Sequence, residues 1–398
     1  MTEINMSPFA LPNTLDQFRA LIASNSMSSV IPEYDHSNEE VIQLLAGWFS
    51  ELGFQVEVMP LPGYPGKFNM LATYGQGSGG LVFSGHTDTV PCNPERWKSD
   101  PFTLTERDNK LFGLGSCDMK GFFALVLDAV GQCMEHEFSQ PLIVLATADE
   151  ETSMSGARAL AGSSGQSVLS RGRYAVVGEP TNLRPIRMHK GIIMESIRLT
   201  GKAGHSSNPA LGINAMDALH EVMGELKTLR YELSQRYSNA NFAVSIPTLN
   251  LGCVHGGDNP NRICGQCELA FDLRALPGMS NDDLRQEIKQ RLTPIAAQNN
   301  VELSIEALFP GIEPFEQAAN SDLVKIAERL TGHPSNSVNY ATEAPFLQAL
   351  GMETLVMGPG SIDQAHQVDE FMALDQIQPC VSLLRGLIEH FCLTSSRG

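Results

Sequence analysis

The sequence predicts an α/β protein with a mostly parallel sheet, helices on both faces of that sheet, and an inserted second domain of the ferredoxin-like α+β type. Short apolar strands alternate with helices in the first half of the chain, which is typical of a parallel sheet. The near-continuous apolar run LIVLATA indicates a strand buried on both faces. The order β-α-β-β-α-β within residues 191–309 indicates the ferredoxin-like unit. We therefore expect one domain from residues 1–190 and 310–398, and an inserted domain at 191–309.

The elements of the first domain follow from local patterns. Helical spacing of apolar residues predicts the first two helices, and Gly53 is placed where a helix commonly ends. Short runs of apolar residues bounded by turn residues predict the strands. The predicted elements are helices at 14–26, 39–53, 120–134 and 154–162, and strands at 54–59, 68–74, 80–85, 141–148 and 174–178.

The pattern changes near residue 190. The segment IIMESIRLTGK alternates with period two, which predicts a strand with one solvated face. The inserted domain then has predicted helices at 212–237 and 281–298 and strands at 246–254, 263–274 and 301–308. A helix at 320–332, a strand at 353–357 and a helix at 374–393 are predicted to complete the first domain.

The composition excludes some partners. A formal charge of −18, from 27 basic and 45 acidic residues, argues against nucleic acid and anionic membranes, because both favour a positive surface. The first residues lack the pattern of a secretory signal, and no apolar run approaches the ~18 residues of a membrane helix. We expect a cytoplasmic protein whose eight cysteines are mostly reduced thiols. Cys264 and Cys267 form a CxxC pair on a predicted strand, and we interpret them as ordinary structural cysteines.

Acidic and imidazole side chains recur where predicted strands end or a helix begins. The carboxyl ends of the strands form the binding crevice of an open α/β sheet, so these side chains are expected to meet. Imidazole and carboxylate ligands suit Zn²⁺ or a related divalent metal. The pattern therefore predicts a two-metal hydrolase. The residues concerned are His86 and Asp88, Asp118, Glu150 and Glu151, Glu179, and His366.

Each of these positions also has a structural interpretation. His86 is predicted to bind metal with Asp88 orienting its ring, whereas the alternative is a buried His–Asp pair without metal. Asp118 is either the N-cap of a helix or a carboxylate that bridges two metals. Glu150 and Glu151 are adjacent and therefore point in different directions, so one can bind metal while the other holds the attacking water. The alternative for this pair is a solvated acidic turn.

Three further side chains are candidates in the inserted domain. His205 lies in the glycine-bracketed segment GKAGHSSNP. It is predicted to stabilise an oxyanion after domain or subunit contact, and the alternative is an ordinary surface histidine. Arg274 and Arg262 are candidates for a substrate carboxylate, which a guanidinium binds bidentately. Their alternative role is a salt bridge to one of the many acids.

The motifs SGHTDTVP, GLGSCDMKG, DEETSMSGA, GEPT, GHSS and QAHQVDE together resemble the dizinc aminoacylase and carboxypeptidase family. The resemblance covers nearly the whole chain in order. It implies hydrolysis of an amide bond in a small N-acyl amino acid, by a homodimer that binds two Zn²⁺ per subunit, with Co²⁺ as a possible substitute. The strings KFNMLA, DPFTLTE, HGGDNPNRIC and NYATEAPF resemble one deacetylase branch of that family.

The resemblance also implies residue roles. His86 and Glu179 would bind one metal, Glu151 and His366 the other, and Asp118 would bridge them. Glu150 would be the general base and Asp88 would support His86. His205 of the second subunit would stabilise the oxyanion, and the inserted domain would serve as lid and dimerisation domain. In relatives the peptide after Asp118 is cis.

Specificity is expected to come from residues outside the metal ligands. Arg274, with Asn261 or Thr342, is the candidate for a substrate carboxylate. Glu343 is the candidate for a distal ammonium, by charge, and its alternative role is an acid at a helix N-terminus with Thr342 as the cap. Other acyl or peptide substrates of the same family, a catalytically silent relative, and a mononuclear site are the remaining alternatives.

Overall fold

The computed structural model describes residues 11–161 and 165–394. The chain forms two compact units. The first comprises the chain up to Arg187, Gln317–Ser335 and the chain from Thr342 onward, and the second comprises Met188–Glu316 and Asn336–Ala341. The predicted domain boundaries lie three and seven residues from these, and the short segment Asn336–Ala341 was expected in the first domain. The first ten residues, which bear on the expected absence of a leader, lie outside the described residues.

The first unit is built on a mixed sheet in the order β1-β2-β6-β3-β7-β17-β8. The four central strands β6, β3, β7 and β17 run parallel, and the outer pairs are antiparallel. The α/β class with a largely parallel sheet is thus confirmed, with antiparallel strands added at both edges. The strands of this unit are β1 (Gln55–Pro60), β2 (Phe68–Tyr74), β3 (Gly80–His86), β4 (Thr105–Arg107), β5 (Lys110–Phe112), β6 (Leu142–Thr147), β7 (Gly172–Pro180), β8 (Ile186–His189, which continues into the second unit), β17 (Glu353–Gly358) and β18 (Phe371–Ala373).

Both faces of the central strands are buried. Phe83 and Val144 pack in a core with the surrounding helices, while their neighbours Val82 and Ile143, which alternate to the other face, are fully buried as well. This explains why these strands lack polar alternation. The helices of the unit are α1 (Thr14–Ala23), α2 (Glu39–Glu51), α3 (Lys120–Gly131), α4 (Ser155–Arg158), α5 (Gln166–Leu169), α8 (Asp322–Thr331), α9 (Ala344–Ala349) and α10 (Ile377–Phe391).

Sequence patterns located most of these elements to within a few residues, with one clear exception. The helix predicted at 154–162 is a single turn, Ser155–Arg158, preceded by Met154 in the left-handed conformation (φ 53°). Gly162 of that prediction lies outside the described residues. The small antiparallel sheet β18-β5-β4 was not predicted, because its strands have only three residues each.

The second unit contains the order β9-α6-β11-β13-α7-β14, folded into an antiparallel sheet β11-β13-β9-β14. This is the strand order of the predicted ferredoxin-like unit. Apolar residues of α6 and α7 pack on one face of the sheet to form a separate core. The elements are β9 (Ile193–Thr200), β10 (Gly204–His205), α6 (Ala215–Arg236), β11 (Thr248–Gly256), β12 (Arg262–Ile263), β13 (Gln266–Arg274), α7 (Asn281–Gln298), β14 (Glu302–Ala307), β15 (Phe315–Glu316) and β16 (Asn336–Val338).

The strand predicted at 263–274 is interrupted, which corrects only the placement of the CxxC pair on one strand. Cys264 lies between β12 and β13, so it does not share a strand with Cys267. Both are buried free thiols, and their sulfur atoms contact the backbone oxygens of Gln266 and Ala215, respectively. Among the described residues, no helix is long and apolar enough to cross a membrane.

Candidate metal centre

The candidate ligands follow the four central, parallel strands of the first unit. His86 is the last residue of β3, and Glu179 is the last but one of β7. Glu150 and Glu151 follow β6, and His366 follows β17. Because neighbouring parallel strands end at the same edge of the sheet, the fold delivers these side chains to one place.

The His86 ring is buried and held in one orientation. Its Nδ1 lies 2.9 Å from the backbone oxygen of Asp88, so Nδ1 carries the proton that is donated there. Its Nε2 faces the carboxylates of Asp118, at 3.1 Å, and Glu179, at 4.0 Å. The ring therefore presents Nε2 to the acid cluster as a metal ligand would.

Asp88 supports the site in a way that differs from the expectation. Its carboxylate is 3.7 Å from the ring of His86, so the carbonyl and not the carboxylate orients the imidazole. The carboxylate instead accepts the backbone N–H groups of Glu150 and Glu151, each at 3.1 Å. Asp88 thus connects the histidine strand to the glutamate turn.

Asp118 places its two oxygens toward two different imidazoles. Oδ1 lies 3.1 Å from His86 Nε2, and Oδ2 lies 3.6 Å from His366 Nε2. The N-cap of α3 is Met119 and not Asp118, and the Asp118–Met119 peptide is cis, as the resemblance implied. A carboxylate between two imidazoles can reach two cations at once, which is the geometry of a bridge.

The adjacent glutamates join different groups of ligand atoms. Among the described residues, two groups of three have ligand atoms that all lie within 4.8 Å of one another: His86 with Glu150 and Glu179, and His86 with Asp118 and Glu151. Glu151 Oε2 also lies 2.9 Å from His366 Nε2. Both glutamates are partly buried, so the pair is not a solvated turn.

The turn that directs these glutamates depends on Asp149, a residue that the sequence reasoning treated only as part of an acidic run. Asp149 is buried with φ at +61°, a conformation that aspartate tolerates better than most residues. Its carboxylate accepts the hydroxyl groups of Thr152, Ser153 and Ser155 at 2.5, 2.6 and 2.8 Å. The hydroxyl residues that follow DEE in the sequence are the signal that could have indicated this turn-forming role of Asp149.

Burial and the closeness of like charges govern the electrostatics of the cluster. Burial raises the pKa of the Glu150 and Glu179 carboxyls well above the usual value, and the neighbouring acids raise it further. Burial opposes protonation of His86, yet the nearby carboxylates raise the pKa of its ring overall. The hydrogen bond to Glu151 raises the pKa of His366 to about 9. Positive charge placed among these acids would favour their ionised form.

The donor set fits a divalent metal. Within the part of the chain that the structure describes, Asp118, Glu151 and Glu179 form ion pairs only with histidines. Glu151 Oε1 is buried and has no hydrogen-bond partner among the residues that the structure describes. Ligands at 2.0–2.1 Å around a tetrahedral zinc ion lie about 3.3 Å from one another. The distances between the histidine Nε2 atoms and the carboxylate oxygens, 2.9–4.0 Å, bracket that value.

Glu343 lies beside the same cluster. It occupies the N-cap position of α9 but makes no capping hydrogen bond, whereas the Thr342 hydroxyl accepts the N–H of Ala344 at 3.2 Å. Glu343 Oε2 instead accepts the hydroxyl of Thr147 at 2.8 Å, and its buried Oε1 has no hydrogen-bond partner within residues 11–161 and 165–394. Burial raises the pKa of Glu343 to about 7. Its carboxylate is therefore not committed to the helix.

The candidates of the second unit fall into two groups. His205 pairs with Arg262 between β10 and β12, and the Ser206 N–H donates to the Asn261 oxygen at 3.0 Å, so His205, Asn261 and Arg262 lie together. Arg274 lies at the far end of β13, where its Nε is 2.9 Å from Asp272. Arg262 is likewise paired, at 2.5 Å, with Asp258.

Fold and site define the class of this protein, an α/β metallohydrolase. The profile of peptidase family M20/M25/M40 matches residues 82–390, and the chain belongs to this family. The family resemblance drawn from the motifs is thus confirmed.

Individual relatives agree with this assignment. The chain is 52% identical to an acetylornithine deacetylase of Edwardsiella ictaluri, over 96% of this chain and 98% of the relative. It is 50% identical to an acetylornithine deacetylase of Pasteurella multocida, over 96% and 99%. It shares its fold with the crystal structure of aminopeptidase PepT from Bacillus cereus, with a TM-score of 0.75, 17% identity, and coverage of 95% of this chain and 98% of that one.

Proposed function

We propose that this protein hydrolyses N²-acetyl-L-ornithine to L-ornithine and acetate, as a step of arginine biosynthesis in the cytoplasm. The observation that carries the reaction type is the pair of candidate ligand groups around His86, one with Glu150 and Glu179 and the other with Asp118 and Glu151. The substrate is proposed because relatives that are about half identical over 96% of this chain are named acetylornithine deacetylases.

The chain has ligands for two Zn²⁺ ions, and Co²⁺ suits the same donors. His86 and Glu179 would hold one ion, Glu151 and His366 the other, with Asp118 between them. The contacts of Asp118 with both imidazoles support this division. When bound, such ions polarise the amide carbonyl and lower the pKa of a water molecule at the site.

Glu150 is the proposed general base. Unlike Glu151, it makes no ion pair with either histidine of the site, and it stands within 4.8 Å of the ligand atoms of His86 and Glu179. Its raised pKa suits a carboxylate that accepts the proton of the attacking water and then gives it to the leaving amine. Asp88 fixes the position of Glu150 by accepting its backbone N–H.

His205 is proposed to stabilise the oxyanion from the partner subunit of a homodimer. The β13 strand has nine residues and spans about 26 Å, so His205 and Arg274 lie too far apart within one unit to contact one small substrate. A second copy of the chain removes this conflict, because one copy can supply Arg274 and the other His205. His205 is exposed and therefore available for such a contact.

Substrate recognition is assigned by charge. Arg274 is proposed to bind the substrate carboxylate, assisted by Thr342 or by Asn261 of the partner subunit. Glu343 is proposed to bind the distal ammonium, since its unpartnered Oε1 would gain a charged hydrogen bond.

A substrate panel tests the proposal. The metal-free protein is reconstituted with Zn²⁺ or Co²⁺ and assayed on acetylornithine, succinyl-diaminopimelate, several acetyl amino acids and a dipeptide. We expect kcat/KM to be highest for acetylornithine by at least about tenfold, the value of one well-placed charged contact. Equal rates on acetylmethionine would instead indicate a broad N-acyl amino acid deacylase. Preference for the succinyl compound or the dipeptide would assign the protein to a desuccinylase or a dipeptidase.

A further inference from the structure

Glu370 is a buried acid outside the ligand set that holds the loop of Asp118. Its carboxylate accepts three backbone N–H groups: Oε1 from Cys117 at 2.8 Å and Asp118 at 2.9 Å, and Oε2 from Gly115 at 3.0 Å. The side chain is 2% exposed, so these donors have no competing water. These three hydrogen bonds hold the backbone from Gly115 to Asp118 in place.

The small sheet β18-β5-β4 places Glu370 above that loop. β18 begins directly after Glu370 and pairs with β5, which leads into the loop. The backbone oxygen of Glu370 also accepts the N–H of Gly113 at 3.1 Å. The carboxylate is therefore positioned by both its own backbone and its strand.

Glu370 also belongs to the loop that carries His366, four residues earlier in the chain. This loop has positive φ values at His366 (59°) and Asp369 (60°), so its shape is maintained by its contacts and not by backbone preference. His366 and Asp118 approach each other at 3.6 Å, and both flank Glu151. The Glu370 carboxylate thus connects the two loops that carry His366 and Asp118.

We propose that Glu370 is a positioning residue that joins the His366 loop to the Asp118 loop and so sets the affinity for the metal ion held by Asp118, Glu151 and His366. This inference rests on the proposed function for the existence of two ion sites. The ion held by His86 and Glu179 should depend on it less, because those two ligands come from β3 and β7 and do not contact Glu370.

The amide in Glu370→Gln keeps the size of the side chain but has only one acceptor oxygen. Its NH₂ group would face either the Gly115 N–H or the N–H groups of Cys117 and Asp118, and a donor cannot accept a hydrogen bond from them. Loss of a residue that orients metal ligands commonly weakens metal binding by about 10–100-fold. We therefore expect one of the two binding steps to lose affinity by about that factor, and the other step to change by less than about threefold.

The experiment is a metal titration of the metal-free protein with Zn²⁺ by calorimetry and with Co²⁺ by visible absorption. Asp369→Asn is the matched control, because this neighbouring acid of the same loop accepts the backbone N–H of Lys98 at 2.8 Å and does not contact the Asp118 loop. The control should bind both ions as the wild type does. Glu370→Asp, which keeps the charge but shortens the reach, should give an intermediate loss.

Unchanged affinities in Glu370→Gln would overturn the proposal, as would an equal weakening of both steps or an equal effect of Asp369→Asn. If the glutamine variant does not give a cooperative thermal transition, the aspartate variant decides in the same way. Measurements on the wild-type protein distinguish failure of this inference from failure of the proposed function. If the wild type binds two ions and hydrolyses acetylornithine, the proposed function stands, whatever the Glu370 variants show.

Discussion

The acid cluster of the first unit and the polar candidates of the second unit differ in how their charges are balanced. Buried carboxylates crowd together around His86. Among the described residues, the ion-pair partners of Asp118, Glu151 and Glu179 are all histidines, and one oxygen of Glu151 has no hydrogen-bond partner. In the second unit Arg274 is paired with Asp272 and Arg262 with Asp258, at partly exposed positions.

This difference separates a site that needs a ligand from a surface that does not. Unbalanced charge inside a protein is costly and persists where a cation or substrate compensates it, so it marks a functional position. A solvated ion pair contributes little and carries no such information. The buried cluster therefore supports the proposed metal ligands, whereas the proposed roles of His205 and Arg274 rest on the family resemblance.

The largest expected effect tests whether the adjacent glutamates have different roles, Glu150 as general base and Glu151 as metal ligand. Glu150→Ala should keep two bound metal ions but lower kcat by about 10²–10⁴-fold, because it removes the proton acceptor and no ligand. Glu151→Ala is the matched control and should lose metal. Metal analysis and steady-state kinetics measure both. Substantial turnover by the Glu150 variant would remove this residue from the role of base.

The second prediction tests whether the second unit contributes across a dimer. His205→Ala should lower kcat by about 10²–10³-fold, as loss of an oxyanion donor does. Mixing this variant with Glu150→Ala after dissociation should restore about a quarter of the wild-type activity, since half of the dimers are then hybrids with one complete site of two.

The mixing experiment has a clear opposite outcome. If His205 serves the site of its own chain, no hybrid contains a complete site, and mixing restores nothing. Each variant mixed with itself is the control for the exchange procedure, and a monomeric protein in sedimentation would contradict the dimer directly.

The sequence predicted that these side chains would lie together because their positions follow a simple geometric rule. His86, Glu179 and the 150–151 pair are close to the ends of recognisable strands, and parallel strands end at one edge. The order of elements was also sufficient to predict both folds. These features depend on local apolar patterns, which a single sequence contains.

The supporting residues could not be predicted in the same way. Glu370 acts on backbone N–H groups 252–255 residues away, through a sheet whose strands have three residues each. Asp149 depends on a left-handed backbone that its residue type permits but does not require. The prediction that the Asp88 carboxylate orients the His86 ring was wrong in detail. This carboxylate accepts the backbone N–H groups of Glu150 and Glu151, and such contacts are not visible in a sequence pattern.

The smallest expected effect tests the substrate filter beside the metal centre. Glu343→Gln should lower kcat/KM for acetylornithine by about 10–100-fold, because the ammonium loses a charged partner worth about 1.5–3 kcal/mol. The loss on acetylmethionine, which has no ammonium at that position, should stay below about threefold. The glutamine keeps the size of the side chain and can still accept the Thr147 hydroxyl, so the fold of α9 should be unaffected.

Two controls make this result specific. Thr147→Val removes the hydroxyl that holds Glu343 without changing its charge, and it should affect both substrates alike if the contact is structural. Metal content should remain that of the wild type in both variants. Equal losses on the two substrates in Glu343→Gln would assign this carboxylate to the electrostatics of the metal centre, and the ammonium would then be recognised by another group. A loss confined to acetylornithine would show that Glu343, like the proposed metal ligands, is a buried charge that a bound cationic group compensates.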